Sequence, residues 1–268
     1  MRPFVSVVEN HLLTVVDPLA NVLLRHVVPL FNIPPGKRPA CVGTGFFVSV
    51  GATSYLVSAA HVFDYITKPG SLHYYVNANI LRNVSGRLLS SKIPPGGVRK
   101  DDRFDVGVIR LVGPRLPPYR EIEKVSLSLS ALRSFGPLRG QKQYLAIGFP
   151  ESRSRPNPRD RELNSKASAF SAMSAELGMY SRLGVSPKSH IVLSVDVERM
   201  VAPNGSVQAI PDPHGMSGSP LFLLYDDAGP NDPQVTPVTG VIIEHHRKTK
   251  AIVATDISYV IDLIRRAI

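Results

Sequence analysis

Three residues, His61, Asp105 and Ser217, have the side chains needed to turn a serine hydroxyl into a nucleophile. His61 follows an apolar run, Asp105 precedes another, and Ser217 has Gly215 two residues before it and Gly218 directly after it. A serine hydroxyl is a weak nucleophile at neutral pH, so it needs a base within hydrogen-bond reach, and histidine titrates near that pH. A buried carboxylate holds the imidazole in the productive tautomer and stabilises the imidazolium that forms. The sequence therefore predicts Ser217 as nucleophile, His61 as general base and Asp105 as the acid that orients the histidine.

The glycines around Ser217 fit the same chemistry. Gly215 can turn the backbone so that its own N–H and that of Ser217 converge on one point, without a Cβ in the way of a substrate. Gly218 permits a tight chain path directly after the nucleophile. We therefore expect the N–H groups of Gly215 and Ser217 to form an oxyanion hole.

Each predicted catalytic residue also has an ordinary structural interpretation. A lone histidine after a strand is usually structural or solvated, an aspartate before a strand is often a turn or cap residue, and a Gly-rich serine loop is commonly just a loop. The order His, Asp, Ser, with the appropriate context at each position, favours the catalytic interpretation. Asp101 and Asp102 are alternative candidates for the acid, but Asp105 alone directly adjoins the apolar run.

The elements that must position these residues are predicted to be short β-strands. Apolar runs rich in β-branched residues recur between Gly and Pro residues from residue 40 onwards. They cover 45–50, 55–58, 72–76, 106–112, 143–147, 190–195, 219–224, 238–243 and 251–255. They do not alternate with long helical segments, so the pattern predicts a sandwich or barrel. Residues 258–268 return to helical spacing and end in two arginines, which suit a helix C-terminus.

Residues 1–39 are predicted to form a helical extension and a linker ahead of a main domain over 40–268. Apolar residues recur at mostly helical spacing over 4–31, which predicts one or two amphipathic helices with a kink near Pro18. The segment 33–39 is rich in Pro and Gly and is interpreted as the linker. We favour packing of the helical stripe on the protein's own core over docking to a regulatory protein or a membrane interface, since such stripes usually face the core.

The composition indicates which classes of partner and which cellular compartment to expect. Lys and Arg outnumber Asp and Glu by 31 to 21, a net charge of +10, but no basic block dominates and Trp is absent. A base-stacking surface is therefore not indicated, and nucleic acid is not an expected partner. Cys41 is the only cysteine, which excludes an intrachain disulfide. Neither a signal peptide nor an uncharged run long enough to span a membrane is evident, so we expect a cytoplasmic protein.

The three motifs together resemble those of the trypsin-like serine peptidases. Residues 55–62 are similar to that family's histidine motif, 104–111 to its aspartate strand, and 215–220 to its Gly-x-Ser-Gly-Gly-Pro box. Residues 240–243 resemble the strand that binds substrate backbone, and 146–150 a turn found in stand-alone, cysteine-poor bacterial members. The resemblance implies a mostly β fold, a chymotrypsin-like double β-barrel with the triad in the cleft. The boundary between the barrels is expected at about residues 115–140.

One departure from the family bears on activation. In digestive members an aspartate before the serine pairs with a newly cut N-terminus, and Met216 stands at that position here. No Ile-Val-Gly-Gly-like sequence precedes the first barrel. We therefore expect an enzyme that needs no N-terminal cleavage and that is active as made or controlled by conformation.

Spacing from the serine box also predicts a substrate-binding pocket. Its base and walls are expected at Pro211, Asp212, His214, Ile243, Glu244 and His245. In the resembled family a carboxylate six residues before the serine selects Arg or Lys, and here that position is Pro211. Bulky Ile252 and His245 favour a shallow pocket for small or medium apolar side chains, since pocket shape decides what it accepts. A pocket made acidic by Asp212 or Glu244 stays an alternative.

The sequence thus predicts a serine endopeptidase that acts on protein or peptide substrates without a metal or cofactor. The alternative is a pseudoprotease or binding module that uses the cleft or the N-terminal helix for protein partners. A nucleic-acid-binding protein is a third, weaker interpretation, since no known recognition module is evident.

Overall fold

The computed structural model describes residues 17–35, 38–68, 71–75, 81–111, 122, 124–135, 142–157, 162–201, 207–224 and 236–268. Within them most regular structure is β, with a helix near each end, as the sequence predicts. The helices are α1 (Asp17–Leu24), α2 (Ala60–Phe63), α3 (Leu177–Leu183) and α4 (Ser258–Ala267).

The first sheet carries the predicted histidine and aspartate. Its strands are β1 (Val27–Asn32), β2 (Ala40–Val50), β3 (Thr53–Ala59), β4 (Leu72–Tyr75), β5 (Leu81–Asn83), β6 (Gly86–Ser90), β7 (Val106–Leu111) and β8 (Leu127–Ser128). They pair in the order β5-β4-β1-β2-β3-β7-β6, and β8 joins β2 in parallel. The other pairs are antiparallel.

The second sheet carries the predicted nucleophile. Two short hairpins are inserted between its strands in the sequence. One is formed by β10 (Ser154–Asn157) with β11 (Glu162–Ser165), the other by β14 (Met200–Val201) with β15 (Val207–Gln208). Its own strands are β9 (Gln143–Gly148), β12 (Ser168–Met173), β13 (His190–Ser194), β16 (Pro220–Leu224), β17 (Val238–His246) and β18 (Ala251–Asp256). They pair antiparallel in the order β12-β9-β16-β17-β18-β13.

All nine apolar runs that predict strands fall on strands of the two sheets. The helical prediction is wrong for residues 27–31, which form β1 between β2 and β4. Every residue of β1 is buried, so its apolar run has no exposed face whose spacing would distinguish a strand from a helix. The N-terminal segment therefore contributes a strand to the first sheet.

The described helix of the N-terminal segment packs on the protein's own core. Leu19, Ala20 and Leu23 of α1 are buried in the same apolar cluster as β1 and β2. This agrees with the favoured interpretation of the stripe. The part of that prediction on residues 4–16 lies outside the described residues. Pro18, where a kink is expected, lies in the first turn of α1, a position at which a proline does not interrupt the helix.

The C-terminal helix, α4, packs against the first sheet. Its apolar side, which includes Val260 and Ile264, is buried against β7, the strand that follows the predicted aspartate. The Arg110 guanidinium of β7 donates a hydrogen bond of 3.2 Å to the Ala267 carbonyl. That bond satisfies a carbonyl that the last helical turn leaves without an intrahelical donor.

Candidate active site

His61 and Asp105 are brought together by the pairing of β3 with β7. Ala59 at the end of β3 pairs with Val106 at the start of β7, so the residues just beyond them share one end of the sheet. The His61 imidazole Nδ1–H donates to Asp105 Oδ2, and the His61 backbone N–H donates to Asp105 Oδ1 at 2.8 Å. One carboxylate therefore fixes both the backbone and the ring of the histidine, which leaves Nε2 available as a base.

The two partners differ in exposure. Asp105 is buried, which raises the pKa of its carboxyl, and the hydrogen bonds and charge of His61 work in the opposite direction. The His61 side chain is 36% exposed, so its ring can reach solvent or a substrate. This is the arrangement that a general base needs, with the orienting acid shielded and the base accessible.

Of the three aspartates in this stretch, Asp105 is the one that contacts His61. Asp101 is exposed and its carboxylate accepts the Val98 N–H at 2.8 Å. Asp102 is buried and bonded to Arg99 and other groups of its own loop. The geometry therefore favours Asp105 over the two alternatives as the orienting acid.

Ser217 precedes β16 in a turn that requires glycine on both sides. Gly215 and Gly218 have φ angles of 92° and 91°, in the region that side chains with a Cβ rarely adopt. A Cβ on Gly218 would lie 2.1 Å from Ser58 Oγ, and one on Gly215 would lie 2.6 Å from the Glu151 nitrogen. The serine turn therefore packs closely against the end of β3 on one side and against the segment that follows β9 on the other.

The Ser217 backbone and the histidine helix, which is α2 with His61, both lie against Gly43. A Cβ on Gly43 would lie 2.6 Å from the side chain of Val62, the residue after His61, and 3.2 Å from the Ser217 carbonyl oxygen. The Ser217 hydroxyl itself donates to the Ile243 carbonyl at 3.5 Å, and none of the described hydrogen bonds joins it to His61. A serine hydroxyl reorients by rotation about one bond, and such contacts often tighten only when substrate binds.

Two N–H groups of the serine turn are left without an acceptor in the described part of the chain. The N–H groups of Met216, Gly218 and Ser219 each donate to a backbone carbonyl, at 2.8, 2.7 and 3.0 Å. No such bond is described for Gly215 or Ser217. These are the two groups that the sequence assigns to an oxyanion hole, and free donors are what that role requires.

Thr44 is a residue of this site that sequence reasoning missed. Its buried hydroxyl donates to the Gly215 carbonyl at 2.9 Å and accepts the Phe149 N–H at 3.0 Å. Its backbone N–H donates to the Ser217 carbonyl at 2.8 Å. Thr44 thus holds the carbonyls of both residues whose N–H groups are free. A polar residue between two glycines, Gly43 and Gly45, was the signal that could have pointed to it.

The loop that carries Asp105 is held by both sheets. The imidazole of His190, at the start of β13, donates to the Arg103 carbonyl at 2.8 Å. The hydroxyl of Thr255 in β18 donates to the Phe104 carbonyl at 2.6 Å. Burial lowers the pKa of His190, so the neutral ring is favoured there. The position of the aspartate therefore depends on strands of the second sheet as well as the first.

The residues expected to form the specificity pocket differ in burial and in hydrogen-bond partners. Asp212, beside Pro211, accepts the His214 N–H at 3.0 Å, and its carboxylate lies 3.9 Å from Nδ1 of His245. Ile243 is buried and bonded to the serine hydroxyl through its carbonyl. Glu244 is exposed and accepts instead from His246, at 2.7 Å.

A cleft of about 400 Å³ opens beside the serine turn. Pro39, Ala40, Cys41, Glu151, Ser152, Ser154, Asp212 and His214 line it. The His214 ring donates to Glu151 at 2.7 Å across the cleft rim. Cys41 is buried, which raises the pKa of its thiol to about 11 and keeps it protonated at neutral pH.

Neither a metal cluster nor a membrane-crossing helix is seen within the described ranges. No three His, Cys, Asp or Glu side chains of those residues are grouped as metal ligands would be. None of the helices there has the length and apolar character needed to cross a bilayer.

Comparison with known proteins points to one fold and one family. A solved structure of neuropsin, a serine protease expressed in the limbic system of mouse brain, matches with a TM-score of 0.53 and 13% identity. The match covers 91% of this chain and 94% of neuropsin, and it confirms the predicted chymotrypsin-like double barrel. A comparison with curated protein sequences gave no match. The family model of the trypsin-like peptidase domain matches residues 43–227, well over half of the chain. The protein is thus a member of the trypsin-like peptidase family.

Proposed function

We propose that the protein is a serine endopeptidase that cleaves protein substrates through an acyl-enzyme. The observation that carries the proposal is the double hydrogen bond from His61 to the buried carboxylate of Asp105, with Ser217 held beside the same histidine helix. A buried acid on Nδ1 of a partly exposed histidine is the arrangement that orients a general base.

The proposed reaction begins when His61 takes the proton of the Ser217 hydroxyl as this oxygen attacks the substrate carbonyl. The carbonyl oxygen becomes an oxyanion and is stabilised by the free N–H groups of Gly215 and Ser217. Asp105 stabilises the imidazolium, which then gives its proton to the departing amine. Water attacks the acyl-enzyme by the same path and restores the serine.

We propose that the residue before the cleaved bond is small or medium and apolar. Support comes from the position of the two acids near the pocket: Glu244 accepts a hydrogen bond from His246 at 2.7 Å, and Asp212 lies 3.9 Å from Nδ1 of His245. Both carboxylates are more than half exposed, at 57% and 55% of the side chain, and therefore do not form a buried acidic base. A peptide library tests this, and strong selection of Arg or Lys would contradict it.

The enzyme is proposed to need no N-terminal cleavage. Met216 is buried, at 1% exposure, in an apolar cluster with Leu221 and other residues of the second sheet. An apolar thioether there cannot receive a new terminal amine as an ion-pair partner. Mass spectrometry of the active species tests this, and an obligatory new N-terminus would contradict it.

We also propose where the enzyme is located and how its activity is restrained. The lone, buried cysteine suits a reducing compartment, so a cytoplasmic location is proposed. Conformation or a regulatory partner would then restrain the activity, and nucleic acid is not proposed as a partner.

Labelling with a fluorophosphonate probe tests the proposal directly, because the probe reacts with an activated serine. Wild type should be labelled and Ser217→Ala should not. Ser219→Ala is a matched control, since the buried Ser219 hydroxyl has no hydrogen-bond partner among the described residues and its loss should leave labelling intact. Absence of labelling in folded wild type would favour the alternative, a pseudoprotease that binds protein partners.

A further inference from the structure

The Asp102 carboxylate is fully buried and makes four hydrogen bonds within the loop that leads to Asp105. Its side chain has 0% exposure. Oδ1 accepts the N–H groups of Phe104 and Asp105, both at 3.2 Å. Oδ2 accepts the Ser91 hydroxyl at 2.6 Å and the Arg99 guanidinium at 2.9 Å. A buried carboxylate with this many donors is a fixed anchor for the backbone around it.

Arg99 extends this anchor to the histidine. Its guanidinium also donates to both carboxylate oxygens of Asp64, at 3.2 Å each. Asp64 directly follows α2, three residues after His61. The chain Asp64–Arg99–Asp102 therefore ties the segment that carries the histidine to the segment that carries the catalytic acid.

The backbone of Asp105 needs such an anchor. Its φ angle is +43°, in the left-handed region that residues with a side chain seldom adopt. Its N–H is held by Asp102, and its carbonyl accepts the Ala60 N–H at 2.8 Å. Strained conformations of this kind persist only where the surrounding bonds hold them.

We propose that Asp102, with Arg99 as its counter-ion, is a positioning residue that holds Asp105 in register with His61. The proposal rests on the proposed function, because the register matters only if the pair serves Ser217. The acceptor oxygen of Asp102 sets the loop geometry, and Arg99 balances its charge so that a second buried anion does not act on the dyad.

The first test compares two substitutions of Asp102. Asp102→Asn keeps an acceptor oxygen for the Phe104 and Asp105 N–H groups, whereas Asp102→Ala removes it. We expect Asp102→Ala to lower kcat by about 10²-fold with little change in KM, since a small misplacement of a catalytic group costs that much. Asp102→Asn should stay within a few-fold of wild type. The neighbouring Asp101→Ala, at an exposed position, is the control and should change neither constant.

The second readout does not depend on turnover. The His61 Nδ1 proton that is shared with Asp105 should give a far-downfield proton NMR signal in wild type and in Asp102→Asn. The signal should be lost or displaced in Asp102→Ala. If wild type shows the signal but no activity dependent on Ser217, the proposed function fails while the positioning role is still decided by this comparison. An unchanged signal and kcat in Asp102→Ala would overturn the positioning role.

Charge balance gives a third measurement, which remains useful if Asp102→Ala does not fold. The charged or titratable groups around the dyad are Asp64, Arg99, Asp102, Arg103, His190 and Glu244. Arg99→Met leaves Asp102 as an unbalanced anion, so the acid limb of kcat/KM should move to higher pH. Asp102→Asn removes one anion near the dyad while Arg99 stays paired with Asp64, so the limb should move to lower pH. The double variant should return towards wild type, and shifts in one common direction would overturn the proposal.

Discussion

Replacing Thr44 by valine removes one hydroxyl from beneath the oxyanion turn while nearly preserving side-chain volume. The hydroxyl makes two buried hydrogen bonds, to the Gly215 carbonyl and from the Phe149 N–H. A buried polar group that loses its partner costs about 1–3 kcal/mol. Two such groups therefore predict a loss of about 2–6 kcal/mol in the free energy of unfolding.

The effect on catalysis follows from the Gly215 peptide. Complete removal of one oxyanion donor costs about 10²–10³-fold in kcat. Thr44→Val keeps the Gly215 N–H but releases the carbonyl on the other end of that residue. We therefore expect kcat to fall by about 10- to 100-fold, below the cost of full removal, with a smaller change in KM.

The assay measures ester or peptide hydrolysis together with urea unfolding. Thr239→Val is the matched control, because the Thr239 hydroxyl is also buried and donates to a backbone carbonyl, that of Leu221 in the second sheet, at 3.2 Å. It should lower stability but leave kcat unchanged. Thr44→Ser keeps the hydroxyl and should recover most activity. Equal kcat in Thr44→Val and wild type would refute the role assigned to Thr44.

Three further outcomes are expected. Asp105→Asn should lower kcat by about 10⁴-fold. Burial raises the pKa of Asp105, so its ionisation destabilises the folded state as the pH rises through that pKa. The stability of Asp105→Asn against urea should therefore match or exceed that of wild type at pH 7, and the difference in stability should vanish near pH 4. Gly218→Ala, with its Cβ 2.1 Å from Ser58 Oγ, should abolish labelling or folding, whereas Gly51→Ala, also at positive φ but with open space around it, should cost about 1 kcal/mol. Cys41 should resist a thiol reagent at pH 7 until urea unfolds the protein, and rapid reaction in the folded state would contradict its burial.

The sequence predicts the strands well where they alternate with turns and less well at the N-terminus. The run 106–112 is preceded by a charged stretch and followed directly by Gly113 and Pro114, and it falls on β7. Residues 27–31 follow the apolar pattern of α1 with no Gly or Pro between Leu24 and Val27, and β1 is buried along its whole length, so neither a turn signal nor an exposed face separates the strand from the helix before it. The spacing of apolar residues indicates which face of a segment is exposed to solvent. In a segment without an exposed face, the spacing does not distinguish a strand from a helix.

The motif residues were accessible to sequence reasoning because their chemistry is local, whereas their supports were not. Asp102 could be weighed only as a competing acid, since its partnership with Arg99 and Asp64 depends on how distant segments pack. Thr44 bonds to Gly215, 171 residues away in the sequence. Contacts at such separations are set by the tertiary fold, and spacing along the chain does not encode them.

The dual attachment of the aspartate loop has a consequence for when activity can appear during synthesis. His61 and Asp105 leave the ribosome with the first half of the chain, but the Arg103 and Phe104 carbonyls wait for His190 and Thr255. Thr255 follows Phe104 by 151 residues. A nascent chain therefore carries two members of the proposed triad in a loop that lacks part of its support. The order of translation itself would delay proteolysis until the second sheet has formed.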